Sequence, residues 1–217
     1  MNSKYYWIGI LLTVAALIAT ILAYPHLPSS VVTHWNSQNQ PNGYSPKWTL
    51  FLFGPGMLAA GMLLMYSLPW LSPKNFELNN FRTTYLQIML ILICLLGYSY
   101  ALMLWAALEH SANVGNAIVG GVCLLFALLG NLMGKVRRNF FIGIRTPWAL
   151  ANERVWNATH RLAAKVFVAG GILGLALTFL GFNGMPVLAV LLIAAFIPAV
   201  YSLIFYKQLE RRGELQG

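Results

Sequence analysis

Long apolar blocks separated by short polar ones set the layout of this chain. Six blocks reach the ~20 residues that a helix needs to cross a ~30 Å hydrocarbon core. They cover about residues 5–24, 48–71, 86–108, 114–133, 162–182 and 187–206. The pattern predicts an all-α, polytopic membrane helix bundle with six transmembrane helices, a single integral membrane domain over residues 1–217. The first block follows one lysine and resembles a signal peptide in that respect. Its apolar run is long for one, and no small-x-small cleavage site precedes Tyr24, so it is expected to be a retained helix. Gly54-Pro55-Gly56 lies in the first half of the second block and should kink or locally unwind it, because proline lacks the N–H a helix needs. Pro198 sits inside the sixth block. The links at residues 109–113 and 183–186 are short, so the blocks on either side of each should form antiparallel hairpins. Gly56 and Ala60, and Gly170 and Gly174, are four residues apart, a spacing that lets helices approach closely in lipid. Packing within one bundle is the expected use.

Charge orients the bundle. With six crossings both termini lie on one side, and that side carries thirteen of the fourteen Lys and Arg residues, seven of them within residues 130–165. The other side carries Lys47 alone. Cytoplasmic loops are enriched in Lys and Arg, so both termini and the 134–162 loop are expected in the cytoplasm and the 25–47 loop outside. Composition agrees: 59% of residues are hydrophobic and 9% charged, against roughly 25% charged in a soluble domain. Lipid must therefore be the solvent for most of the chain. The net charge of +9, which in a soluble protein would raise nucleic acid as a partner, reads here as topology, and no direct nucleic-acid partner is expected.

The outer loop has four prolines and an Asn42-Gly43 pair, which favours a tight turn with positive φ. A fixed, irregular loop capping the bundle, anchored by interfacial aromatic residues, is expected. The inner loop begins with Lys135, Arg137 and Arg138, which suit anionic headgroups. Residues 139–145 are aromatic and apolar and should lie against the membrane, with a turn at Gly143. Thr146-Pro147 has the form of a helix start, with Thr as N-cap. From there Trp148, Val155, Trp156, Thr159 and Leu162 fall on one face, and Glu153, Asn157 and Arg161 on another. The spacing predicts an interfacial amphipathic helix that bends into the fifth span.

Candidate chemistry is sparse. The chain has no aspartate, and its five glutamates show no acid/base or metal-ligand spacing. Neither H-E-x-x-H nor G-x-S-x-G occurs. His26 and His34 lack a nearby carboxylate or thiol, so no metal site and no cofactor are expected. Cys94 and Cys123 read as small buried apolar residues. No Asp, Glu, Lys, Arg or His falls in the middle of a span, which argues against a transporter or channel, although the prolines at 55 and 198 are transporter-like. A non-catalytic receptor-like bundle is the reading the residues favour, with a transporter or channel as the alternative.

Several residues also form a recognisable signature. Gly130-Asn131, Asn139-Phe140, the run Gly143-Ile144-Arg145-Thr146-Pro147-Trp148, Val155-Trp156 and Thr159-His160-Arg161 resemble the SdpI/YfhL membrane family. Leu27-Pro28, Thr33-His34-Trp35-Asn36, Pro41, Gly43-Tyr44 and Lys47 are similar to the DUF1648 element that often precedes it. Val32, Asn39 and Asn42 depart from that element's usual proline, glycine and aspartate. The resemblance implies a bacterial cell-membrane protein that gives immunity to a secreted peptide toxin. It also implies signalling, by capture of a cytoplasmic ArsR-type winged-helix repressor at the membrane. Carried onto this chain, the toxin would meet His34, Trp35, Asn36, Pro41, Gly43, Tyr44 and Lys47. A cytoplasmic partner would meet Asn131, Asn139, Gly143, Arg145, Thr146, Pro147, Trp148, Trp156, His160 and Arg161.

Overall fold

Among the described residues six long helices carry the chain, one over each apolar block. A computed structural model describes residues 2–36, 38, 40–74, 76–109, 114–182 and 184–215. The long helices are α1 (Ser3–Ala23), α2 (Thr49–Leu71), α3 (Arg82–Glu109), α4 (Gly115–Met133), α6 (Glu153–Phe179) and α7 (Met185–Arg211). A five-residue helix, α5 (Pro147–Ala151), precedes α6. All six long helices are long and apolar enough to cross a membrane. The expected outer turn between the third and fourth spans lies mostly outside the described residues. Asn183, in the link between the fifth and sixth, lies outside them too. Gly184 there has φ 67°, a left-handed conformation that glycine adopts without steric cost.

The outward faces of the helices are greasy. Leu11 and Leu22 on α1 are each 68% exposed, and Phe179 on α6 is 88% exposed. Side chains of this kind are stable at a surface only when the surroundings are themselves apolar. Cys94 belongs to this lipid-facing set and is exposed, against the expected burial, whereas Cys123 is buried.

Prolines inside helices remove donors, and at Pro55 and Pro69 the structure shows how the helix adjusts. At Gly54-Pro55-Gly56 the helix widens into a π turn, Leu52–Gly56, and the Met57 N–H bonds to the Leu52 carbonyl five residues back. This is the expected local unwinding, in the form of one wide turn. Gly54 lets α3 approach the turn: a Cβ there would fall 2.4 Å from the Tyr100 ring. Pro69 strands the Met65 carbonyl four residues earlier. The Tyr85 hydroxyl of α3 donates to that oxygen at 2.8 Å.

Close helix approach is concentrated where α6 meets α4 and α7. A Cβ on Gly171 would fall 2.6 Å from both the Cys123 carbonyl and the Ala127 nitrogen of α4. Gly130 of α4 faces the Val168 nitrogen in the same way, at 2.7 Å. Gly170 faces Ala194 of α7, and Gly174 faces the Cys123 thiol. The Gly170/Gly174 pair therefore packs within the bundle. Gly56 and Ala60 do not form such a seam: Ala60 is exposed, and a Cβ on Gly56 would meet the Phe51 carbonyl of its own helix.

The outer segment differs most from expectation. It is a two-stranded antiparallel hairpin, β1 (Ser30–Trp35) and β2 (Pro41–Pro46). Register runs from Ser30 opposite Pro46 to Trp35 opposite Pro41, with irregularities on either side of His34. Val31 of β1 is buried. Asn42 and Gly43 are strand residues rather than a turn, and Gly43 is not among the positive-φ glycines. With no Cβ, Gly43 lets β2 lie against His34, whose Cβ would be 2.7 Å from a Cβ there.

Candidate functional site

Two polar regions stand at opposite ends of the helices. At the hairpin end, Lys47 closes the junction of α1, β2 and α2. Its ammonium donates to the Tyr24 and Leu27 carbonyls at 3.1 and 3.3 Å and sits 4.5 Å over the Tyr24 ring. Those carbonyls lie at the end of α1, where a cation also meets the negative end of the helix dipole. The Asn36 side chain accepts from the Gln38 and Gln40 amides at 3.0 and 2.9 Å and closes the hairpin tip. His34 and Asn42 bond across the strands at 2.5 Å. Pro41 and Tyr44 are exposed on β2, and Trp35 is half-buried on the side facing the helices. All seven outer candidates are thus on or beside the hairpin. Lys47 and Asn36 hold it together, while Tyr44, 63% exposed, faces outward.

At the other end the 134–152 loop is knotted around buried polar groups. Asn139 is fully buried, and its carboxamide makes four bonds. Nδ2 donates to the Arg137 and Ile142 carbonyls at 2.8 and 2.9 Å. Oδ1 accepts from the Phe141 and Ile142 amides at 2.8 and 2.7 Å. One side chain thereby satisfies a loop that cannot satisfy itself in a buried site. Gly143 then takes φ 111°, and a Cβ there would overlap the His160 ring. The chain turns so that the Ile144 amide donates to His160 Nε2 at 3.0 Å. His160 Nδ1 lies 2.9 Å from the Trp156 carbonyl. Since Nε2 accepts and Nδ1 must donate, this is the neutral Nδ1–H tautomer. The ring stacks on Trp156 at 4.0 Å between centroids, and the Trp156 indole donates to the Val136 carbonyl at 2.8 Å. Arg145, itself exposed, donates to the Phe140 carbonyl. Asn139, Gly143, Arg145, Trp156 and His160 therefore form one structure. Residues 139–145 pack inward through Phe141, Ile142 and Ile144, while Phe140 stays exposed.

The expected helix start at Thr146 is present, with the Thr146 hydroxyl accepting from the Ala149 amide at 3.2 Å. The helix does not continue to the fifth span. It stops at Ala151, and Asn152 caps a second start, accepting from the Arg154 and Val155 amides at 2.9 and 3.2 Å. The amphipathic stretch from Glu153 onward is simply the first part of α6. Trp148 is half-buried and Pro147 exposed; Asn131 and Arg161 are exposed on α4 and α6, outside the knot.

Several partners in this region carry no local signal. Ser202 of α7 donates to the Ala199 carbonyl at 2.6 Å and bonds the Thr146 hydroxyl at 2.7 Å. Asn152 Nδ2 donates to the Leu215 carbonyl at 3.3 Å, and Arg154 pairs with Glu214 at 3.0 Å. The tail after α7 thus folds back on the start of α6. Asn152 directly before Glu153 is the one feature here with a readable sequence signal, that of an N-cap. Lys135, Arg137, Arg145, Arg161, Lys165, Arg211 and Arg212 are all exposed and leave this end strongly basic. Both nitrogens of His160 are engaged by backbone groups, which leaves it no lone pair to act as a base. Among the described residues no group of three His, Cys, Asp or Glu side chains could hold a metal.

Comparison with known proteins fits this division into two regions. The SdpI/YfhL protein family model matches residues 135–202. A second model, a domain of unknown function called DUF1648, matches residues 11–59, which include the hairpin. The immunity protein SdpI of Bacillus subtilis (strain 168) is 28% identical over 206 residues, which cover 93% of this chain and 96% of that protein. No solved structure matches.

Proposed function

Given that the chain belongs to the SdpI/YfhL protein family, we propose that it is a multi-pass protein of the bacterial cytoplasmic membrane that protects its cell from a secreted peptide toxin. The observation that carries this reading is the end-to-end similarity to an immunity protein, which includes both the hairpin and the knotted loop. Protection here is non-catalytic and works by binding. The hairpin faces outward and meets the toxin, while both termini and the 134–162 loop face the cytoplasm, in line with the distribution of Lys and Arg. The basic inner face, with the Arg211-Arg212 tail, is the surface for a winged-helix repressor. The support for this is its charge and the hydrogen-bonded loop beneath it. A transporter or channel is the second reading, supported by the π turn in α2, because π turns are frequent at functional sites. It predicts substrate-driven ion flux in proteoliposomes.

The deciding experiment is survival of a toxin-sensitive bacterium expressing this chain when challenged with the sporulation-delaying peptide toxin. Protection is the expected result. Loss of viability at the same toxin dose as the empty-vector strain, with the protein confirmed in the membrane, would refute the immunity reading for that toxin.

A further inference from the structure

A groove of about 950 Å3 runs along the outward side of the bundle where α3, α4 and α6 meet. Ile91 and Tyr98 line it on α3, Gly121 and Leu128 on α4, and Leu175 and Phe179 on α6. Glycine keeps its floor low: a Cβ on Gly120 would meet nothing nearer than Leu175 at 4.0 Å. Its hydroxyl groups are already engaged. Tyr98 donates to the Ala117 carbonyl at 3.0 Å, and Thr178 to the Gly174 carbonyl at 2.9 Å. The groove itself therefore offers a ligand mainly apolar surface.

What the groove leads into is charged. Helical spacing carries the lining row of α4, Gly121, Leu124 and Leu128, on to Asn131 and Lys135. The lining row of α6, Phe179 and Leu175, runs on through exposed Ile172 to Lys165 and Arg161. The two helices are antiparallel neighbours, with Gly130 against Val168 and Gly134 nearest Ala164. The two rows therefore end side by side, next to the inner loop. Asn131, Lys135, Arg161 and Lys165 are all exposed, and none has a side-chain hydrogen bond or ion pair among the described residues. No carboxylate offsets them: α4 has none, and α6 has only Glu153, at its first position. Orientation by Lys and Arg depends on their number near span ends and not on the helix face they occupy. Their alignment with the groove thus has to come from something else. From Asn131 to Gly121 α4 rises ~15 Å, the half-thickness of a ~30 Å hydrocarbon core, so one leaflet's acyl chain fits between the basic end and the glycine floor. A soluble anion would use the cations and leave the groove empty. An acidic protein surface would do the same, and a neutral lipid would use only the groove. An anionic amphiphile uses both.

We propose that the groove and the cations at its end bind an anionic phospholipid, with an acyl chain along Gly121 and the phosphate held by Lys135, Arg161 and Lys165. The aliphatic stems of these residues extend the apolar wall while their charged ends reach headgroup level. The proposal does not rest on the immunity reading, and it leaves Arg137, Arg145, Arg211 and Arg212 to a cytoplasmic partner. It is tested by native mass spectrometry of the full chain in detergent micelles, titrated with phosphatidylglycerol or with phosphatidylcholine of the same acyl chains. Phosphatidylglycerol should bind about tenfold more tightly. Lys135→Gln, Arg161→Gln and Lys165→Gln together should erase that preference. Lys74→Gln, Arg137→Gln and Arg211→Gln, which remove the same charge elsewhere at that end, should keep it. Gly120→Leu and Cys94→Phe fill the groove from α4 and α3, and each should weaken binding of both lipids about fivefold. Two positions on different helices guard against one variant failing to fold. Equal binding of the two lipids by the wild type, or equal loss in the two triple variants, would reduce the cluster to general positive charge and overturn the proposal. Unchanged binding in both filled variants would overturn it as well. If the first triple variant kept its phosphatidylglycerol but lost protection in the survival assay, the cluster would belong to a protein partner and not to a lipid.

Discussion

Asn139 carries more of the inner loop than any charged residue near it. Its four bonds to backbone groups leave the loop no substitute, and removing the carboxamide strands two amides and two carbonyls in a buried site. Asn139→Ala should therefore destabilise the protein by roughly 3 kcal/mol, read as a lower melting temperature and faster proteolysis within residues 134–152 in nanodiscs. Arg145 is a different case. It is exposed and holds only the Phe140 carbonyl, so its loss should spare the fold. If it presents the loop to a partner, Arg145→Ala should abolish protection without lowering the amount inserted, because the remaining basic residues still set topology. Normal survival of that strain would remove Arg145 from the functional residues. Asn139, Gly143, Trp156 and His160 stand out in the sequence as members of a signature. Their interlocking does not: nothing local says that the Gly143 turn exists to clear the His160 ring. The same holds for Ser202, which lies 56 residues beyond the Thr146 hydroxyl it bonds.

Helices were the most legible elements, because apolar run length is a local property. Boundaries were less so. α6 begins at Glu153, well before its apolar block, since helical hydrogen bonding continues wherever an N-cap such as Asn152 allows it. The hairpin was illegible for the opposite reason. Its strands contain Pro41, Gly43 and Pro46, residues that normally argue against a strand. They are tolerated in a two-stranded ribbon because both strands are edges and each has one side free of ladder bonds. The consequence of Pro69 is not local either: it appears only when α3 is placed beside α2. Tyr85→Phe should cost about 1–2 kcal/mol by stranding the Met65 carbonyl. In a Pro69→Ala background that carbonyl regains a helical N–H, and most of the cost should vanish. A double-mutant cycle on thermal stability checks this; equal costs in both backgrounds would mean that the Tyr85 hydroxyl acts through something other than the proline gap.

At the scale of the whole molecule, the glycine contacts of α6 with α4 and α7 hold the second half of the chain together. In lipid there is little hydrophobic force between helices, so backbone approach and packing must supply the association. Gly171→Leu would force α6 away from Cys123 and Ala127 and should lower stability by roughly 3 kcal/mol or more, seen as loss of monodisperse protein after extraction. Topology has its own test: cysteine introduced at Tyr44 should react with an impermeant thiol reagent added outside intact cells, and cysteine introduced at Arg211 should react only after lysis. The reverse pattern would invert the bundle and with it the roles of the two faces. By itself the sequence determined the number of crossings, their approximate limits and the expected orientation, because hydropathy and Lys/Arg placement are sums over neighbouring residues. Tertiary structure alone decided the hairpin, the knot around Asn139 and His160, and the fold-back of the tail onto Asn152 and Arg154. The tail contacts join groups about 60 residues apart, and even the nearer partners, such as Ile144 and His160, meet only because of how the helices pack, which no local pattern encodes.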